Sequence, residues 1–283
     1  MEVKKIAVIG SGTMGRGIAY SAALSGFEVT LQDISAEALE KAKNDNGSLA
    51  NNSVEKGYIT SEERDNVQRN ITYTTELQKA VEHADLVIEA ILEIMELKID
   101  TFKKVEEFAP EHAILATNTS TMSPTEIGAQ MKKPDQFVAM HFFNPVHRMK
   151  LIEIIRGMDT SDKTVEIIRQ VSEKMGKETV EVNEFPGFVT SRMNLIIGNE
   201  AMNMLMEGVA SAEDIDKAIK LGLNHPMGPF EMADLVGLDS RLRNMESLYH
   251  ALGEKYRPSP LLVKYVKAGR LGRKSGQGIY TYK

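Results

Sequence analysis

The sequence predicts an α/β fold, a doubly wound and mostly parallel sheet, followed by an all-α domain. Three observations carry this. Up to residue 184, short apolar runs rich in β-branched residues alternate with longer amphipathic segments, a pattern that implies parallel strands joined by crossover helices. A glycine-rich turn separates the first apolar run from the first helical segment. After Glu184-Phe185-Pro186-Gly187, only helical periodicity remains.

Taken in order, strands are expected at Lys4–Ile9, Glu28–Asp33, Ile71–Thr74, Leu86–Ala90, Ile114–Asn118, Phe137–Phe142 and Leu151–Ile155. Helical spacing fills Met14–Ser25 and Met95–Phe108. The stretch Ser35–Arg69 is about twice as long as a minimal crossover helix. Within it, Thr60-Ser61-Glu62-Glu63 reads as a capping box opening a second helix after Gly57. This predicts a helical hairpin, an arm over about 35–69 that stands away from the sheet. It is either a solvated decoration or a lid over a ligand. The Pro-Gly pair divides the chain into 1–184 and 185–283, with helices at Ser191–Glu207, Glu213–Leu221 and Leu261–Ala268 in the second part.

Composition narrows the function classes. The 283 residues are 42% hydrophobic and 26% charged, enough to bury the core of one large or two medium domains. Lys+Arg 34 against Asp+Glu 40 leaves a net charge of −6, which repels nucleic acid and anionic membrane. Without cysteine there is no disulfide, thiolate metal site or cysteine nucleophile. No apolar run approaches the roughly 20 residues of a membrane span. The N-terminus passes directly into the first strand without the apolar stretch of a signal peptide. A cytoplasmic protein with neither nucleic acid nor membrane as partner is expected.

Gly10-Ser11-Gly12-Thr13-Met14-Gly15 follows a strand pattern, opens a helix pattern, and is followed by an acid, Asp33, at the end of the next strand. Gly10 permits the tight turn, Gly12 lets backbone N–H groups approach a pyrophosphate, and Gly15 allows close helix–strand packing. Thr13 and Met14 share that turn, at a helix N-terminus that favours phosphate. The Asp33 carboxylate suits the two hydroxyls of a ribose and repels a 2′-phosphate. Ile34 and Ser35 offer no arginine to hold one. NAD is therefore expected rather than NADP.

Chemistry is sought at the carboxyl ends of the strands. Thr117-Asn118-Thr119-Ser120-Thr121 ends one of them. Ser123 is explained as a helix cap before Pro124 and Glu126, which leaves Ser120 either as a reactive-site hydroxyl or as a partner for loop backbone groups. His141 terminates the apolar run that starts at Phe137, where a solvated histidine is out of place. Glu153 lies among Leu151, Ile152, Ile154 and Ile155, and a carboxylate there is costly to bury unless paired. Its readings are a pair with His141, an edge position facing water, or a pair with Arg156. A His141–Glu153 pair would fix the imidazole tautomer and stabilise its protonated form.

The chain resembles the L-3-hydroxyacyl-CoA dehydrogenase family, and within it the 3-hydroxybutyryl-CoA dehydrogenase branch. The matching segments are Ala7–Gly17, Leu86–Glu93, Thr117–Ser120, His141–Pro145, Met149–Glu153, Pro186–Phe188, His225–Leu238 and Gly272–Tyr280. They span essentially the whole length. His-Phe-Phe-Asn-Pro and His-Pro-Met-Gly-Pro-Phe-Glu are the specific ones. The resemblance implies a Rossmann-type NAD-binding domain with its helical arm, then a helical substrate and dimerisation domain. It also implies reversible hydride transfer between a 3-hydroxyacyl-CoA and NAD, with a homodimer as the assembly.

Carried over by residue, the resemblance makes His141 the general base, Glu153 its orienting acid and Ser120 the hydrogen-bond donor to the reacting oxygen. Cofactor contacts fall on Asp33, Glu93, Lys98, Ser120, Asn144 and Lys274. CoA contacts fall on Lys56 and Ser48 of the arm, which turns the arm from decoration into a clamp. One position departs from the family pattern. Ser191 stands where an asparagine is usual, and Asn194, one helical turn later, is a candidate replacement contact. Two other readings share the architecture: a sugar-acid dehydrogenase of the L-gulonate type, which needs no CoA arm, and a non-catalytic NAD-binding protein.

Overall fold

The computed structural model describes residues 2–282. Its contacts divide into two units between Glu184 and Phe185. The first unit begins β1 (Lys5–Ile9), α1 (Thr13–Leu24), β2 (Glu28–Gln32), α2 (Ala36–Glu55), α3 (Ser61–Asn70) and β3 (Ile71–Thr74). It continues with α4 (Leu77–Val81), β4 (Leu86–Glu89), α5 (Met95–Phe108), β5 (Ile114–Thr117) and α6 (Pro124–Gly128). It closes with β6 (Phe137–Phe142), β7 (Leu151–Arg156), α7 (Asp162–Lys174) and β8 (Glu178–Asn183).

The eight strands form one sheet in the order β3-β2-β1-β4-β5-β6-β7-β8. Pairing is parallel from β3 to β6, antiparallel between β6 and β7, and parallel again between β7 and β8. Successive residues of one strand serve opposite faces, as the pleat requires. Ile6 and Val8 join a cluster with Ile18, Phe27 and Ile168, whereas Ala7 and Ile9 join Val81, Phe102 and Val105. Burial on both faces is why these strands read as continuous apolar runs. The strand order turns back at β1 and β4, and the crevice at such a switch point is where ligands bind in open α/β sheets.

Two expectations need correction. The final strand β8 was not among the predicted ones. It is an edge strand with its charged residues Glu178 and Glu181 exposed, so its sequence lacks the apolar run that marks a buried strand. The arm is also less detached than expected. Its α3 opens with the capping box at Thr60 and Glu63, but Leu39, Ala42, Ala50 and Val67 belong to the main core cluster. Asn46 Nδ2 donates to the Arg16 carbonyl of α1 at 3.2 Å, and Asp45 pairs with Arg16 itself. The inner face of the hairpin lies on α1. Its tip, with Lys56 capping α2 and Tyr58 70% exposed, is open to water.

The second unit is helical: α8 (Thr190–Met206), α9 (Ala212–Gly222), α10 (Pro229–Val236), α11 (Leu238–Leu252) and α12 (Pro260–Lys267). Its core gathers Leu195, Met202, Ile215, Phe230, Met245, Leu248, Tyr256 and Leu262. Two buried aspartates tie the C-terminal segment to it. Asp216 accepts Phe230 N–H (2.8 Å), Glu231 N–H (3.0 Å) and the Tyr280 hydroxyl (2.8 Å), capping the start of α10. Asp234 accepts Ile279 N–H, Tyr280 N–H and the Tyr282 hydroxyl, each at 2.9 Å. Burial and the adjacent carboxylates hold the Tyr280 hydroxyl well above its ordinary range and push Tyr282 up to about 12. Among the described residues no helix is long and apolar enough to cross a membrane.

Candidate active site

At the end of β1, Gly10 has φ +98°, and a Cβ there would lie 2.7 Å from the Ala90 carbonyl oxygen. A Cβ on Gly15 would fall 1.8 Å from the Gly10 carbonyl oxygen, so α1 approaches the turn as only glycine allows. Gly12 instead faces open space, caps α1 without a side-chain hydrogen bond, and is exposed along with Thr13. A helix N-terminus whose Gly12 would carry a Cβ into open space suits a pyrophosphate. Asp33, one residue beyond β2, is held by the turn itself. Its Oδ2 accepts Ser11 N–H and Oγ–H, both at 2.8 Å, and its Oδ1 accepts Ser35 N–H at 3.0 Å. These contacts orient the carboxylate beside the turn, and the residues present fit an NAD.

Beyond β4 lies a buried polar network. Lys98 of α5 is 1% exposed and sits between two carboxylates, Glu89 at 2.7 Å and Glu93 at 3.2 Å. Glu93 accepts the Thr119 hydroxyl and, at 3.0 Å, Ser120 N–H. The predicted contacts Glu93, Lys98 and Ser120 are therefore neighbours. Sequence reading missed Glu89 and Asn118. The first is a fully buried acid ending an apolar strand, the same signal that singled out Glu153. The second accepts Phe142 N–H on its Oδ1 at 3.0 Å, which ties the Ser120 loop to the residue after His141.

The antiparallel register of β6 and β7 sets His141 directly opposite Glu153. The imidazole Nδ1 lies 2.7 Å from Glu153 Oε2, with the two residues 7% and 0% exposed. Arg156, the competing partner, pairs with Glu181 and Asp162 instead. Phe143 packs a ring 4.5 Å from the imidazole. Asn144 is exposed on the loop that follows, before a cis peptide to Pro145. Buried Lys177 supports that loop by donating to the Val146 and Met149 carbonyls at 2.5 and 2.8 Å; burial pushes this ammonium below the ordinary lysine range.

The remaining candidates lie elsewhere. Ser48 and Lys56 are exposed on α2 and at its C-cap. In the second unit, Ser191 occupies the first turn of α8, and the Asn194 amide oxygen accepts from Arg241 at 3.0 Å. Asn194 thus has a structural partner already. Lys274 pairs with Asp239.

A family model described as 3-hydroxyacyl-CoA dehydrogenase, NAD binding domain, matches residues 5–185, and the C-terminal domain of the same family matches residues 187–282. The chain belongs to this family. It is an NAD-dependent oxidoreductase of the 3-hydroxyacyl-CoA class. It is 50% identical over 283 residues, covering 100% of this chain and 98% of the other, to a probable 3-hydroxybutyryl-CoA dehydrogenase of Bacillus subtilis. It is 44% identical to a 3-hydroxybutyryl-CoA dehydrogenase of Bradyrhizobium diazoefficiens, covering 99% of this chain and 96% of the other. The crystal structure of (S)-3-hydroxybutyryl-CoA dehydrogenase from Ralstonia eutropha matches with a TM-score of 0.96 at 40% identity, covering 100% of both chains.

Proposed function

We propose that the chain interconverts (S)-3-hydroxybutyryl-CoA and acetoacetyl-CoA, with His141 moving the proton. The observation that carries this is the buried 2.7 Å contact between His141 and Glu153 at the end of β6. A histidine beside a carboxylate keeps one tautomer and tolerates a positive charge. In oxidation, His141 takes the proton of the 3-hydroxyl while Glu153 holds the ring and stabilises the imidazolium. Ser120 donates a hydrogen bond to the oxygen on C3. In reduction, His141 returns the proton to that oxygen. When bound, NAD supplies the hydride acceptor, and NADH the donor.

The start of α1 at Gly12, Thr13 and Met14 would hold the phosphates, and Asp33 the adenosine ribose. Glu93, Lys98, Ser120, Asn144 and Lys274 complete the proposed cofactor contacts. Lys56 and Ser48 are the proposed CoA contacts, a flexible ammonium being suited to a solvated phosphate. Ser191 and Asn194 are assigned to the acyl chain, with Asn194 the weaker of the two because Arg241 already engages it.

The reading is tested by following NADH absorbance with acetoacetyl-CoA, longer 3-oxoacyl-CoA thioesters and free acetoacetate. Turnover that is fastest with acetoacetyl-CoA and absent with the free acid is expected. Equal turnover of the free acid would point to a sugar-acid type of dehydrogenase instead. Replacing NADH by NADPH should slow the reaction, and Asp33→Ala should narrow that difference. A cytoplasmic homodimer formed through the helical unit belongs to the same proposal. Met193, Met206, Leu221 and Leu223 support it as exposed apolar side chains of that unit. Sedimentation showing only monomer would remove the dimer, and cell fractionation tests the location.

A further inference from the structure

Glu89 is fully buried at the last position of β4 and belongs to none of the roles above. Its carboxylate accepts hydrogen bonds from three different segments. Oε1 accepts the Lys98 ammonium of α5 and Ile91 N–H, both at 2.7 Å. Oε2 accepts the Thr117 hydroxyl at the end of β5, also at 2.7 Å. Its backbone carbonyl accepts Asn118 N–H at 2.8 Å. From Lys98 the chain of contacts continues 3.2 Å to Glu93, and from Glu93 3.0 Å to Ser120 N–H.

A buried carboxylate with a buried ammonium is poor evidence for added stability, because desolvation cancels most of the attraction. What such a network does well is select one arrangement of the groups it joins. Here those groups are the loop after β4, the first turn of α5 and the loop that carries Ser120. We infer that Glu89 is a positioning residue, which holds Lys98 and Thr117 so that Glu93 and the loop 118–121 place the Ser120 hydroxyl for reaction. This rests on the proposed role of Ser120. Glu89 touches neither substrate nor cofactor in this account. It acts through two relays, one of side chains through Lys98 and Glu93, the other through Thr117 directly into the loop.

The test is a double-mutant cycle read as kcat and KM for NADH-dependent reduction of acetoacetyl-CoA. Misplacing a reacting group by ~1 Å costs up to about a hundredfold, so Glu89→Gln, which keeps the shape and removes the charge, is expected to lower kcat about tenfold. KM for acetoacetyl-CoA should change less than about twofold, because uniform substrate binding is untouched. In a Ser120→Ala background the same substitution should cost less than about twofold, since the group it positions is gone. Unchanged kcat in Glu89→Gln, or an equal loss in both backgrounds, overturns the inference while leaving the role of Ser120 intact. Wild-type kcat in Ser120→Ala overturns both together. Should Glu89→Gln not fold, Thr117→Val removes only the hydroxyl on Oε2. It is expected to give a smaller loss that likewise disappears on Ser120→Ala; a loss that persists there, or none at all, overturns the inference.

Discussion

Both units bury charged side chains, but in the first they gather mainly where strands end, whereas in the second two aspartates sit where helices meet the chain's own C-terminal segment and Arg241 sits against α8. His141, Glu153, Glu89 and Lys98 lie at or beside the carboxyl ends of β4 and β6, near an open glycine turn. Asp216 and Asp234 are as deeply buried, yet among the described residues their hydrogen bonds run to backbone N–H groups and tyrosines of their own unit. Arg241, 4% exposed and lowered by burial to about 10, donates to Asn194 and to no carboxylate among the described residues. The contrast teaches that burial of charge does not by itself mark a reactive site. Position at the carboxyl ends of the strands is what separates the group proposed as reactive from the structural one.

Substitutions can break this contrast or sharpen it. The largest effect is expected from His141→Gln, whose amide still donates toward Glu153 but cannot shuttle a proton. Turnover should fall about 10²–10⁴-fold, while fluorescence titration with NADH finds nearly unchanged affinity. Full activity would put His141 in the same structural class as Asp234. Next comes Asp234→Ala, which strands two backbone N–H groups and a tyrosine hydroxyl. A loss of about 3 kcal/mol in chemical denaturation is expected, with NADH affinity in the folded fraction preserved. Retained stability would show that the C-terminal segment is not held by this carboxylate.

Glu153→Gln should be milder than loss of the histidine, with kcat lowered about tenfold and the fold retained, because the amide can still accept from the ring. Smallest of all is Asp239→Asn. Burial raises the Asp239 carboxyl, but the Lys274 ammonium and backbone N–H groups outweigh it, so it titrates below the usual carboxylate range. A lowered folded-state pKa contributes stability above the unfolded value of about 3.9, and this is lost as pH falls through the lowered one. The pair is partly exposed, so the contribution is under about 1 kcal/mol. Asp239→Asn should therefore cost little at neutral pH and nothing further in acid, as read from melting curves between pH 7 and pH 3. A cost above about 2 kcal/mol would contradict that.

The same contrast explains what was legible in the sequence. Strands buried on both faces announce themselves by composition, so β1, β2 and β4 through β7 were found; edge strand β3, with Ile71 as its one buried residue, was found from its β-branched and aromatic run Ile71–Thr74. Edge strand β8 has one buried position, Val182, in an otherwise partly or fully exposed run, and carries no comparable signal. Glu153 stood out because four aliphatic residues surround it; Glu89 follows three and was passed over because a turn begins just after it. Asn118 gives no local hint, since its partner Phe142 N–H comes from another strand. Asp216 and Asp234 carry no local signal, because the groups that engage them lie 14 to 64 residues away. The arm was recognised by length and capping chemistry, but its docking on α1 depends on contacts that no local pattern reveals.

The His141–Glu153 alignment is a property of main-chain pairing as much as of two side chains. In a pleated ladder, neighbours alternate sides. Gaining or losing one codon within β6 or β7 would turn one partner to the far side of the sheet, although both amino acids survived. The connecting stretch 143–150 is less constrained in this respect, because loops tolerate changes in length at small entropic cost. Evolution of this hairpin should accordingly tolerate indels in the connector and purge them from the strands.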